Sequence, residues 1–261
     1  MLAVERTGRI VVATLSRPPV NALDGELIAR LDAVLDDASA AAEITVLHLR
    51  SDEKAFCAGA DLNLMQACFA TPEGPERMVD LVNRMQRLFA RMESAPVVTV
   101  AEIGGAAMGG GLELALACDL RVAAIDARLG LPEVRLGLLP AAGGTQRLTR
   151  LCGQGTAKRL ILGAEIVDGA EALHLGMVQW AQPREELARW TRELVARFAA
   201  MPKAAVAACK RCIHAASEPT RDGYAEEIAA TRSLYQHLET RARVSEFLTK
   251  NAARKQTKEM P

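Results

Sequence analysis

The chain has 261 residues, half of them apolar and a quarter charged, which is enough material for a large buried core. Lysine plus arginine and aspartate plus glutamate both number 32, so the formal charge is zero and nothing resembles the positive footprint that nucleic-acid binding requires. Charges interrupt the amino terminus before any continuous apolar stretch, and no later run reaches membrane-spanning length, which sets aside a secretory signal and a membrane partner and points to the cytoplasm. The six cysteines are scattered, as expected of mostly buried, reduced thiols rather than a disulfide framework.

Residues 1–16 read as two strands around a turn at Thr7 to Arg9, with Ile10, Val11, Val12 and Leu15 supplying β-branched and apolar character. Arg17-Pro18-Pro19 ends the second strand. From Asp24, a candidate N-cap, Leu27, Ile28, Leu31, Val34 and Leu35 recur at helical spacing. Ile44 to Leu49 follows as a buried strand. Residues 67–76, with Pro72 and Pro75, read as a mobile loop before a second amphipathic helix marked by Leu81, Val82, Met85, Leu88, Phe89 and Met92. Val97 to Ile103 is a further buried strand, leading into a glycine-rich bend and a short helix from about Leu112 to Cys118.

Alternating strands and helices of this kind favour an α/β architecture. Beyond Trp180 the pattern becomes helical, with Leu187, Trp190, Leu194 and Phe198 on one face and Pro202 ending that helix. The boundary drawn here divides a core, 1–200, from a helical portion, 201–261. The charged end from Arg254 reads as frayed.

Two carboxylates stand in apolar company. Glu113 is flanked by Leu112 and Leu114 after Gly109-Gly110-Gly111, so a helix there would bury it. A buried carboxyl group must find partners or raise its pKa, which suits it to moving protons near neutral pH. A glutamate in the first turn of a helix is also favoured by the helix dipole, and composition does not separate the two readings. Glu133 stands between Pro132 and Val134 ahead of Leu136, Leu138 and Leu139, with Arg135 as a harmless pairing partner. The glycine run lets backbone approach a ligand closely and aims free amides from the start of the following helix. Ala55 to Asp61 forms a second small-residue turn, with Asp61 placed to cap a helix near Leu62. Two amide-presenting turns can make a two-donor oxyanion hole.

Other constellations carry less. Cys209 and Cys212 with His214 fall in a helical stretch without a second cysteine pair, so they are not read as a metal site. Gly153, Gly155 and Lys158 lack the strand and spacing of a dinucleotide loop and read as helix punctuation. No serine–histidine nucleophile motif can be assembled.

The segments Ala55 to Asp61, Gly104 to Asp119 and Gly130 to Leu148 resemble the signature regions of the crotonase, or enoyl-CoA hydratase and isomerase, superfamily. The match runs in order from Arg17 to Gly163, with a weaker echo toward the carboxyl terminus. The resemblance implies a spiral of ββα units and a helical C-terminal trimerisation portion, giving homotrimers or hexamers formed as dimers of trimers. It also implies a thioester carbonyl held by the amides of Ala60 and Gly110, with Glu113 activating water and Glu133 protonating the substrate. Val20, Ala22, Ala58, Asp61 and Leu62 match positions that hold coenzyme A, and Lys54 and Lys250 are candidates for its phosphates. The implied activity is syn hydration of a trans-2-enoyl-CoA, with no metal and no cofactor beyond the coenzyme A of the substrate. An isomerase and a non-catalytic acyl-CoA-binding scaffold are the alternatives. Ala141 stands where the family usually has glycine, in a turn whose amide helps place the water, and would be strained if that position required a positive φ.

Overall fold

The computed structural model describes residues 1–258, with side chains through Lys250. Strands β1 (Leu2–Thr7) and β2 (Ile10–Leu15) form the expected antiparallel hairpin. Helix α1 (Gly25–Ala40) follows, with the Asp24 carboxylate accepting from the Leu27 N–H and the predicted apolar face buried. Strand β3 (Val46–Ser51) begins two residues later than expected and is followed at once by β4 (Ala55–Cys57).

The loop expected over 67–76 is largely absent. Helix α2 (Leu62–Phe69) extends into it, and α3 (Gly74–Ser94) begins before it ends, with Pro75 in the first helical turn. Proline fits there because that position's N–H has no intrahelical partner, so the residue read as a breaker starts a helix instead.

Two further strand pairs repeat the pattern: β5 (Val98–Ile103) with β6 (Ala106–Met108), then β7 (Leu120–Ala124) with β8 (Arg128–Gly130). Helix α4 (Gly110–Leu116) follows the first pair; a 3-10 turn (Glu133–Leu136) and α5 (Gly144–Leu162) follow the second. Gly153, at φ 79° and ψ 161°, breaks α5 into two segments. Strand β9 (Ile166–Asp168), helix α6 (Gly169–His174), strand β10 (Trp180–Gln182) and helix α7 (Arg184–Ala199) complete this part.

The first strand of each pair enters a six-stranded sheet of order β1-β2-β3-β5-β7-β10, and the second enters a four-stranded sheet of order β4-β6-β8-β9. Each ββα unit thus advances both sheets by one strand, which is the spiral that the sequence resemblance implied. Alternation from the period-2 pleat sends Leu47 and Leu49 toward α1 and puts Val46 and His48 on the opposite face.

Residues 1–200 form one compact unit and residues 201–261 another. The second contains α8 (Lys203–Ala215), α9 (Gly223–Leu234) and α10 (Leu238–Lys258). The fraying expected from Arg254 is not seen as far as Lys258, and Glu259 to Pro261 lie outside the described residues. Cys57, Cys68 and Cys118 are buried, whereas Cys152 and Cys212 are partly exposed and Cys209 is exposed, so three of the six thiols are buried where most were expected to be. Among the described residues, no helix is long and apolar enough to cross a membrane.

Candidate active site

Strands β4, β6 and β8 lie side by side and run parallel, so their C-terminal ends emerge along one edge. The residues following those ends are Ala58 to Asp61, Gly109-Gly110 and Pro132-Glu133. One edge of a parallel sheet therefore collects three sequence-distant loops, the usual consequence of parallel topology.

The first loop is fixed by the segment before α1. The Leu23 N–H donates to the Gly59 carbonyl at 2.7 Å and the Asp61 N–H to the Leu23 carbonyl at 3.1 Å. Leu23 thereby uses the groups on either side of Ala60, and the Ala60 N–H faces away from it. Ala60 N lies 3.6 Å from the position a β-carbon on Gly110 would occupy. Gly110 opens α4, so its N–H has no carbonyl one turn earlier in the helix. The Ala60 amide nitrogen thus lies beside the start of α4.

Two glycines make this approach possible. A β-carbon on Gly111 would lie 2.1 Å from the Cys57 carbonyl oxygen. Gly109 has φ 50°, and a β-carbon there would sit 2.9 Å from Glu133 Oε1. The latter contact places the Glu133 carboxyl directly over the glycine turn.

Glu113, one turn into α4, is 2% exposed. Its Oε1 accepts the Gly144 N–H at 2.7 Å. Burial pushes its pKa up to about 7, the Glu133 carboxylate pushes in the same direction, and the amides of Gly144 and Ala142 and the charge of Arg147 oppose the rise. Burial also raises the pKa of Glu133, whose Oε2 is enclosed and has no protein hydrogen-bond partner. The Glu133 carboxylate thus adds to the rise that burial produces at Glu113. In Glu133→Gln the neighbouring charge is gone, so the Glu113 midpoint is expected to fall below about 7. Infrared titration of the carboxyl band would show it, and an unchanged midpoint would mean that the two groups are not electrostatically coupled.

Val20, Ala22, Ala58, Asp61 and Leu62 come together where the two segments meet. The Ala58 N–H donates to the Val20 carbonyl at 3.0 Å, and the Asp61 carboxylate caps α2 through the amides of Asn63 and Leu64. Val20, Ala58 and Leu62 are exposed. Arg17, read from sequence only as the end of a strand, donates to the Ala22 carbonyl at 2.9 Å and pairs with Asp61 at 2.9 Å and Asp24 at 3.0 Å. Its guanidinium holds the Asp61 carboxyl below its usual range. Asn21, with φ 54°, also escaped the sequence reading; its buried amide donates to Ser51 and to the carbonyls of Ala55 and Phe56. A polar residue placed just before an apolar helix was the available signal for both.

Ala141 lies in the turn between the 3-10 segment and α5. Its φ is not positive, so the conditional strain penalty does not arise; the left-handed residue is Gly143, at φ 104°. Lys54 is exposed, and Lys250 pairs with Glu246 within α10. Cys209 and Cys212 lie on α8, where His214 pairs with Glu218 at 3.0 Å; no cluster of three metal-ligating side chains occurs among the described residues. Burial pushes the Cys57 thiol up to about 12, and it donates to the Asn21 carbonyl.

The enoyl-CoA hydratase/isomerase family model matches residues 5–257. A short-chain-enoyl-CoA hydratase of Clostridium acetobutylicum is 36% identical over 213 residues, spanning 81% of this chain and 80% of that protein. A 2,3-dehydroadipyl-CoA hydratase of Escherichia coli is 34% identical over 218 residues, 83% of each chain. The crystal structure of an enoyl-CoA hydratase from Bacillus anthracis superposes with a TM-score of 0.89 at 32% identity, covering 95% of this chain and 96% of that one. By its sequence and its ββα spiral, the chain belongs to the enoyl-CoA hydratase/isomerase family.

Proposed function

We propose that this protein is an enoyl-CoA hydratase, a lyase that adds water syn across the 2,3-double bond of a trans-2-enoyl-CoA to give a 3-hydroxyacyl-CoA. The observation that carries the reading is the buried Glu113 carboxyl, its pKa raised by burial and by the Glu133 carboxylate, in a chain whose Ala60 and Gly110 backbones adjoin. The amides of Ala60 and Gly110 receive the thioester oxygen and stabilise the charge that develops on it. Glu113, as carboxylate, takes a proton from water while the water oxygen bonds to C3 of the acyl chain. Electrons from the double bond move onto the thioester oxygen, and Glu133, as acid, delivers a proton to C2. Water and the thioester supply every atom of the product, so the reaction calls for no further cofactor. Val20, Ala22, Ala58, Asp61 and Leu62 are assigned to the coenzyme A arm because they adjoin Ala60 on a partly exposed edge where Val20, Ala58 and Leu62 face solvent. The Ala141 amide is assigned to placing the water.

Loss of enoyl-thioester absorbance tests the reading, using crotonyl-CoA, branched enoyl-CoAs and 2,3-dehydroadipyl-CoA. Hydration by the parent, lost in folded Glu113→Gln and Glu133→Gln, supports it. Folded parent that hydrates none of them refutes it, and isomerase and binding assays then separate the alternatives.

Self-association as a trimer or dimer of trimers belongs to the same proposal. The C-terminal unit exposes Ile213, Tyr224, Ile228, Tyr235, Leu238 and Phe247, more apolar surface than an isolated helical unit ordinarily leaves in water. A monomeric mass by light scattering would overturn this part. The cytoplasm is assigned because all six cysteines are free thiols, as a reducing compartment keeps them.

A further inference from the structure

Arg147 lies on α5, one turn beyond the amide that binds Glu113, and is 8% exposed. Its Nη1 donates to the Ala142 carbonyl at 2.9 Å, and its Nη2 donates to Glu93 Oε2 on α3 at 2.6 Å. The guanidinium carbon stands 5.9 Å from the centre of the Phe89 ring, also on α3. A second grip comes from Gln86, whose amide donates to the Ala141 carbonyl at 2.6 Å. Helix α3 thus holds two successive carbonyls of the turn 140–144, one directly and one through Arg147. The same turn presents the Gly144 N–H to Glu113.

We propose that Arg147 is a positioning residue for the reaction, fixing the 140–144 turn against α3 so that its amides hold the Glu113 carboxylate at the water site. The role rests on the hydratase reading above, but it predicts a titration that needs no turnover. A planar guanidinium can grip a carbonyl and a carboxylate at once, which a point-charge ammonium does less well. The charge of Arg147 also favours ionised Glu113, so removing it acts in a known direction.

The experiment compares the parent with Arg147→Met and Arg147→Lys. Infrared titration of the Glu113 carboxyl, identified by its loss in Glu113→Gln, is expected to shift upward in Arg147→Met and to stay near the parent value in Arg147→Lys. With crotonyl-CoA, kcat is expected to fall about 10- to 100-fold in Arg147→Met, and by less in Arg147→Lys, with KM changed by no more than about twofold. In Arg147→Met the acid limb of the pH profile moves to higher pH with the titration. An unmoved Glu113 midpoint in folded Arg147→Met overturns the proposal, as does parent-level kcat in either variant. Should Arg147→Met fail to fold, Arg147→Lys decides: reduced kcat at unchanged KM and midpoint supports the role, and parent-level kcat removes it. If the parent hydrates nothing yet the midpoint shifts, the hydratase reading fails while the positioning of Glu113 stands.

Discussion

Glu113→Gln is expected to lose about 10²- to 10⁴-fold in kcat while becoming more stable at pH 8 than the parent. The first half follows from removing the only group assigned to take the proton from water. The second follows from burial. A carboxyl group whose pKa is about 7 in the folded protein, against an ordinary value of 4.5, binds its proton more tightly folded than unfolded. Between those two values the native state holds more protons than the unfolded one, so stability declines as pH rises through that window. Above it, the full penalty for holding the ionised group is about 3 kcal/mol. Glutamine is uncharged and keeps a carbonyl acceptor for the Gly144 N–H, which escapes most of that penalty. Chemical denaturation of parent and variant at pH 8 and pH 5 would show the advantage at the higher pH and its disappearance at the lower. A variant less stable than the parent at pH 8 would mean that the Gly144 bond outweighs the cost of burying the charge.

Arg121→Met is expected to be the most destabilising single change in the core, costing about 3–5 kcal/mol. Arg121, on β7, is 2% exposed, and its guanidinium donates to the carbonyls of Ala115, Leu116, Cys118 and Met177 and to Gln179. Three of these lie at and just beyond the C-terminal end of α4, where helical carbonyls lack intrahelical donors and a positive charge is favoured. Replacing a buried ion pair with apolar side chains is often harmless because both partners leave together. Here most of the partners are backbone carbonyls, which stay in place when the guanidinium is removed and which methionine cannot satisfy. Because α4 also carries Gly110 and Glu113 at its other end, activity should fall alongside stability. Urea denaturation checks this: a midpoint equal to the parent's would show that water or neighbouring donors replace the guanidinium.

The strands and helices legible in the sequence were those long enough to show a period. Val98 to Ile103 and the apolar stripes of α1 and α3 are of this kind. The four-stranded sheet that carries the site was not legible, because β4, β6, β8 and β9 have three residues each, too few to display alternation. Residues 67–76 misled for a related reason, since proline and glycine punctuate helix starts as readily as loops. In the site, Glu113 and Glu133 stood out because a carboxylate among apolar neighbours is costly anywhere.

The sequence alone determined which groups are present: two glutamates in apolar settings, two small-residue turns able to present amides, and a charge balance unsuited to nucleic acid. Only the tertiary structure decided what those groups do to one another. Arg17 meets Asp61 across 44 residues and Arg147 meets Glu93 across 54, separations at which no local propensity or period carries information. Parallel pairing of β4, β6 and β8 aligns their C-terminal ends, and the loops that follow set the Ala60 nitrogen beside Gly110 and the Glu133 carboxyl over Gly109. Burial in that setting, rather than residue type, raises the Glu113 pKa to about 7.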